Sequence, residues 1–215
     1  MKEKTKNLVI FGAGSSGKEI SLLVDEINQK SKKWQLIAFI DSNKKLIGKK
    51  IRGVEVFKDI SNFKNKKIYW VCSVMNPNTK KEICDKISIK FKATNLIHPS
   101  TNLPKDVKIG KGNVIFSNIH LSYELKIGNY NMISFGCDIG HNTKIRDYNS
   151  IMPGVIINGH SSINNLCQIG SGAIINNKIS IGNKSIVGSG TFIFQNIGNE
   201  TSVFNLPRQI KKKIK

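Results

Sequence analysis

Acidic side chains, paired cysteines and long apolar runs are all scarce in this 215-residue chain. Only 14 Asp and Glu stand against 34 Lys and Arg, a net charge of +20. Such an excess attracts polyanions. A nucleic-acid-binding surface would also show aromatics interleaved with cations, or helix-turn-helix or zinc-finger spacing, and none occurs. The lysines are spread along the whole chain, which reads as a solvated surface with no nucleic-acid partner. The charge should still help to draw in anionic cofactors or substrates. The four cysteines, Cys72, Cys84, Cys137 and Cys167, show no CxxC spacing. They imply a reducing compartment, and no metal site is read from them. The apolar run Leu8 to Phe11 stops at Gly12. It is too short for a signal peptide or a membrane span. The expectation is a cytoplasmic protein without stable membrane insertion. The basic end, Lys211 to Lys215, reads as a solvated tail.

What is abundant is a period of six. From Ile97 to Ile193 every sixth residue is aliphatic, seventeen positions without a miss. At most steps the residue four places on is small or apolar, as at Val107, Cys137, Val155, Cys167, Ala173 and Thr191. Gly follows the aliphatic residue at 110, 128, 140, 170, 182 and 188. Neither a helix nor an isolated strand needs a strict period of six. A coil of three short flat faces does, with the aliphatic residue inward, the small one in the tapering interior, and Gly permitting the bend. The pattern predicts a hexapeptide-repeat parallel β-helix over residues 96–198, nearly six coils. Cys137 and Cys167 fill small inward slots, where a thiol acts as a small hydrophobe.

Residues 1–95 read differently. A strand at Asn7 to Phe11 runs into Gly12-Ala-Gly14-Ser15-Ser16-Gly17. A helix follows with Ile20, Leu23, Val24 and Ile27 on one face, then a strand from Leu36 to Ile40 ending at Asp41. This is the mononucleotide-binding order, in which glycines permit close approach, the helix N-terminus favours phosphate and the Asp accepts from ribose hydroxyls. A third strand at Ile68 to Cys72 and a helix near Thr79 to Ile89 complete about half of a dinucleotide fold. A dehydrogenase would carry the second half, so hydride transfer is disfavoured. A tight strand-to-helix turn without ligand is the alternative.

Three hexads make one coil, so residues 18 apart become vertical neighbours, about 4.8 Å from rung to rung. His141 then sits on a corner one rung from Gly159. A general base beside an amide donor suits acyl transfer from a thioester. Ser171 and Ser189, with Pro153 a coil earlier, define a second edge along which a long ligand can lie. The other histidines have weaker claims: His98 belongs to a turn, His120 to another face, and His160, next to Gly159, is only the lesser candidate for lining the same site. An ordinary solvent-facing corner is the alternative for His141.

The segments Val9–Gly14, Ile37–Asp41, Ile97–Ser100, Ile139–His141, Pro153–Gly154 and Ile169–Ala173 run in the order and spacing of one family. The chain resembles the bacterial sialic-acid O-acetyltransferases and UDP-amino-sugar N-acetyltransferases. That resemblance implies a Rossmann-like α/β domain followed by a left-handed parallel β-helix, although the general crossover rule favours the other hand. It implies acetyl-CoA as co-substrate, a homotrimer, and a nucleotide sugar held by the N-terminal domain for surface-glycan synthesis. His141 is similar to the family's base, and Gly159 to the amide on the acetyl carbonyl. Ser150, Gly159, Ser171 and Ser189 match cofactor positions; Gly14, Ser15, Ser16, Asp41 and Ser42 match the sugar-nucleotide site. The chain departs from the family where Asn142 replaces a common acidic residue and Ser16 a common His. It departs again in the strap over residues 199–215, which reads Asn205-Leu-Pro207-Arg208. Asn142 can orient the ring but adds no charge. N-acetylation of a UDP-linked amino sugar leads; O-acetylation of a sugar hydroxyl and a non-catalytic binding solenoid stay open.

Overall fold

The computed structural model describes residues 5–64 and 66–205. Of the strap expected over residues 199–215, residues 206–215, the basic end included, lie outside the described residues, and Ser202–Val203 pair with Ile186–Val187 as a last strand of the coil. The first half is a six-stranded sheet. Its strands are β1 (Lys6–Phe11), β2 (Trp34–Ile40), β3 (Lys50–Ile51), β4 (Val54–Phe57), β5 (Ile68–Cys72) and β6 (Lys92–Ala93). The order is β3-β4-β2-β1-β5-β6, parallel except for the β3–β4 hairpin. The helices are α1 (Ser15–Ser31) and α2 (Pro77–Ser88). Strand β1 is buried on both sides: Leu8 and Ile10 join the cluster that holds Ile20, Leu23 and Val24 of α1, while Val9 and Phe11 join Cys84 of α2. The apolar stripe of α1 is therefore the one its spacing predicts. The hairpin escapes a reading by periodicity because its strands are two and four residues long. Its two-residue turn, Arg52-Gly53, has both φ angles positive, at 50° and 82°.

The second half is a left-handed parallel β-helix of three flat faces. Its strands are two residues each, and the second residue of each is the aliphatic one. From Ile115 to Ile193 that series is at most 4% exposed. Partners lie 18 residues apart, as in Asp138 with His120 and Ile156. The last coil is two residues shorter: Ile186 pairs with Ser202.

The corners correct one expectation. None of the glycines after the aliphatic residue has a positive φ. The left-handed residue comes two places later, at every sixth position from Gly112 to Gly190, and nine of these are not glycine. Each such non-Gly residue costs roughly 1 kcal/mol in backbone strain. Ladder bonds hold it there, as where Asn142, His160 and Lys178 donate their N–H to the carbonyls of Tyr123, His141 and Gly159. The glycines serve close approach instead. A Cβ on Gly140 would lie 2.6 Å from the Gly159 amide nitrogen, and one on Gly170 2.5 Å from that of Ser189.

The α/β unit covers the lower part of one face, the one built from Val114, Met132 and Ser150. Trp70, Tyr130 and Tyr148 stack across the junction at 5.7 and 5.3 Å. Tyr148 donates to Asp85 at 2.6 Å. Buried Lys80 donates its ammonium to the Asn149 carbonyl at 2.9 Å and to the Ser150 hydroxyl at 2.7 Å, and that hydroxyl donates to the Met75 carbonyl at 2.6 Å. Burial pushes Lys80 down to about 8 from an ordinary 10.5, with Cys72 and Cys84 opposing. In the unfolded chain the amine titrates at the higher value, so the folded protein is penalised fully below pH 8 and not at all above 10.5. Relative to a Lys80→Met variant, wild-type stability should rise across that window by on the order of 3 kcal/mol, read by urea unfolding. Parallel pH profiles for the two proteins would show that the buried amine does not titrate there.

Candidate functional site

The three corners of the coil treat one backbone group in different ways. Two residues after each aliphatic position, an N–H points along the stack toward the next rung. On the corner opening onto the covered face, these positions are Lys111, Asn129, Asp147, Asn165 and Asn183. Each of these N–H groups donates to the side-chain oxygen of the next Asn or Asp, at 2.6–3.1 Å. On the other two corners that ladder is missing. Among the described residues, none accepts from the N–H of His141, Gly159, Ser171 or Ser189. Gly140 and Gly170 keep the space before two of these amides clear, because a Cβ on either would fill it. Free, aligned amide donors at a corner are suited to a carbonyl or an oxyanion.

His141 stands on the corner diagonally opposite the covered face. Its ring is held on three sides. Tyr123, one rung below, stacks on it at 5.1 Å and 6°; His160 meets it edge-on at 4.9 Å. Nδ1 lies 2.9 Å from Asn142 Oδ1, and the Asn142 amide nitrogen donates to Glu124 Oε2. Nε2 lies over Gly159, where a Cβ would come within 2.9 Å of it. The predicted trio His141, Asn142 and Gly159 is therefore brought together. Asn142, expected only to orient the ring, also bridges to a carboxylate one rung below. Tyr123 and Glu124 were not singled out from the sequence, although the 18-residue step from His141 and Asn142 points to both. A cavity of about 670 Å³ opens beside this corner, lined by Glu124, Asn142 and His160 and by Lys108, Lys126 and Lys144 on successive rungs.

The expected cofactor positions divide. Ser171 and Ser189 stack on the next corner, one coil apart, with Pro153 beneath them. His141 and Ser171 thus flank the same face from its two ends. Ser150 does not join them. It is 0% exposed, and its hydroxyl is taken by Lys80 and Met75 in the junction. The reading of Ser150 as an open cofactor position is corrected: the α/β unit covers the strand it sits on.

In the α/β unit, Gly12 (φ 101°) makes the turn after β1, and Gly17 sits so close that a Cβ would lie 2.3 Å from the Gly12 carbonyl oxygen. Gly14 faces open space and leads into α1 without a side-chain cap, leaving the first-turn N–H groups of Ser15 and Ser16 for an anion. Asp41 and Ser42 line a cavity of about 380 Å³ with Phe11, Gly12, Val74 and Ile83. Asp41 also does local work: its two oxygens accept from Ala13 N–H at 2.7 Å and Asn43 N–H at 2.8 Å, tying the glycine loop to the end of β2. All lining residues of this cavity belong to the α/β unit. Within one chain it is not brought together with His141.

His98 closes a turn with Ser100 at 2.7 Å, as expected. His120, expected on another face, pairs with Asp138 at 2.8 Å on the lower rungs of the face that ends at the His141 corner. Cys137 and Cys167 are buried, and burial pushes each thiol up to about 11, which makes them poor nucleophiles.

Residues 7–87 match the PglD N-terminal domain family. Among solved structures, perosamine N-acetyltransferase from Caulobacter crescentus, a variant in complex with CoA and GDP-perosamine, is 19% identical. It aligns over 98% of this chain and 99% of its own, with a TM-score of 0.86. The acetyltransferase domain of PglB from Neisseria gonorrhoeae, in complex with acetyl coenzyme A, is 20% identical over 93% and 96%, at 0.84. WeeI from Acinetobacter baumannii is 24% identical over 94% and 97%, also at 0.84. A search of curated proteins gives no match. Likeness at this identity shows a shared fold across both halves of the chain.

The geometry at Gly159 yields a test. Gly159→Ala should leave thermal stability within about 1 kcal/mol, since the added methyl meets only the tip of a side chain. It should displace the His141 ring, visible as a change in its imidazole NMR signals. Unchanged signals would mean that the ring does not rest on Gly159.

Proposed function

We propose that this protein is an acetyl-CoA-dependent acetyltransferase whose acceptor is the amine of a nucleotide-linked amino sugar. The observation that carries the reading is the corner itself: His141 Nε2 lies over Gly159, beside amide N–H groups with no acceptor among the described residues. The amine attacks the thioester carbonyl carbon. An open amide N–H stabilises the oxyanion that forms, and His141 Nε2 takes the proton the amine gives up. Collapse of the intermediate expels the thiolate of CoA, which His141 reprotonates. The products are the acetamido sugar and CoA, with no acyl-enzyme.

Ser171 and Ser189 offer a column of open amides for the extended cofactor at the other end of the same face. The α/β unit takes the nucleotide, with the diphosphate at the N-terminus of α1 and the ribose near Asp41 and Ser42. The matched PglD N-terminal domain family and the amino sugar, CoA and acetyl-CoA complexes among the similar folds support this assignment. They also favour nitrogen over oxygen as the acceptor atom.

The active unit is a homotrimer. In one chain the nucleotide cavity and His141 lie on different sides of the coil, so the acceptor must come from a neighbouring copy. The upper rungs of the face between the two open corners, above the His120–Asp138 pair, are also apolar, with Ile156 36% and Phe192 45% exposed and Phe135 and Phe194 beside them. Neighbouring copies would cover it. The place of action is the cytoplasm, where acetyl-CoA is made and four free thiols stay reduced. Among the described residues no helix is long and apolar enough to cross a membrane.

His141→Ala should lower kcat by about 10²–10⁴-fold, the usual loss for a general base. Acetyl-CoA affinity and the melting temperature should hardly change, because the ring belongs to a corner and not to the core. The assay follows CoA release with a panel of nucleotide-linked amino sugars. Near-normal turnover in the variant would remove His141 from the chemistry. Tight acetyl-CoA binding without release on any acceptor would favour a binding module.

A further inference from the structure

We propose that Glu124 is a positioning residue that sets the tautomer of His141 through Asn142. The proposal rests on His141 as the base. A base needs its lone pair on the nitrogen that faces the substrate, here Nε2, so the ring proton must stay on Nδ1. Neutral imidazole left to itself prefers the opposite arrangement. Something must therefore hold the proton on Nδ1.

The neighbour of Nδ1 is an amide, and an amide can offer either an acceptor or a donor. Asn142 alone cannot choose between tautomers, because a flipped side chain would present its NH₂ to the ring. Glu124 makes the choice. A carboxylate only accepts, and its Oε2 lies against the Asn142 nitrogen. That contact turns Oδ1 toward His141, 2.9 Å from Nδ1. An oxygen there requires an N–H on the ring. The relay runs from Nδ1–H to the amide oxygen, and from the amide N–H to the carboxylate. The negative charge at its end also strengthens the amide oxygen as an acceptor.

The coil supplies the carboxylate from 18 residues before Asn142. Glu124 occupies the same left-handed corner position one rung below, at φ 55° against 57° for Asn142. Its own N–H donates to Asp106 Oδ2 at 3.0 Å, so the acidic corner is continued downward. The acid missing from the residue after the histidine is thus present on the preceding rung. Tyr123, stacked on the ring face, and His160, at its edge, leave the relay as the contact that distinguishes the two nitrogens.

The test reads the tautomer directly. With 15N-labelled histidine, at a pH where the ring is neutral, wild-type His141 should carry its proton on Nδ1. Glu124→Met keeps the length of the side chain and removes the acceptor. It should move the proton toward Nε2 and lower kcat about tenfold, the effect of one lost hydrogen bond of this kind, with KM for acetyl-CoA little changed. Asn142→Asp puts a carboxylate directly on Nδ1. In that background Glu124→Met should leave the proton on Nδ1 and should not lower kcat further. A merely structural role would give the same loss in both backgrounds. An Nδ1 proton that persists in Glu124→Met alone would overturn the proposal. The assignment of the base is judged separately, by turnover in His141→Ala.

Discussion

Everything at the candidate site depends on one repeated contact, the parallel backbone ladder that joins each residue to the rung above and below. Its step of 18 residues converts sequence distance into height. His141 meets Gly159, Asn142 meets Glu124 and Ser171 meets Ser189 for the same reason that Ile139 meets Ile157. The inward Ile column fixes which side of each strand is buried, and a one-residue slip would turn that column outward. The non-glycine left-handed corner residues are strained, yet hydrogen bonds on their N–H groups keep them in place, to ladder carbonyls at most corners and to side-chain oxygens at Asn118 and Glu124. A site built this way needs no loop of its own. It is positioned by the core.

The second constraint is the junction. Lys80, Ser150, Asn149 and the three stacked aromatics fasten the α/β unit over one face and the corner beside it. This closes one side of the prism and leaves the two corners with uncapped amides exposed. The same arrangement separates the cavity beside Asp41 from the histidine. The division explains why a fold with an apolar open face would work as an assembly: a cavity on one copy can be presented to the corner of another.

The repeat made much of this legible. Strict six-residue spacing shows the coil, the inward residues and the vertical neighbours, because in this fold register is a property of period alone. It was enough to pair His141 with Gly159, and Ser171 with Ser189. The resemblance added the hand of the coil, which the general crossover rule would have reversed. What escaped depended on covering or on side-chain reach. Ser150 matches a cofactor position by alignment, but α2 and the loop before it lie over its strand. The glycines after each aliphatic residue looked like bend formers and prove to be clearances for the next rung. The β3–β4 hairpin was too short to show alternation. Glu124 lay in plain view at the right spacing, but only the direction of the Asn142 amide reveals what it does.

The claim that two copies complete one site can be measured by mixing two disabled chains. One carries His141→Ala. The other carries Gly14→Asp, which adds a carboxylate where the structure has open space and where the diphosphate would sit. Each alone should be nearly inactive. After co-refolding in equal amounts, about a quarter of the inter-copy sites would combine an intact α/β unit with an intact His141 if assembly is random. The account predicts recovery toward a quarter of wild-type turnover. A mixture no more active than its parents, with mixed assemblies verified by mass, would contradict it.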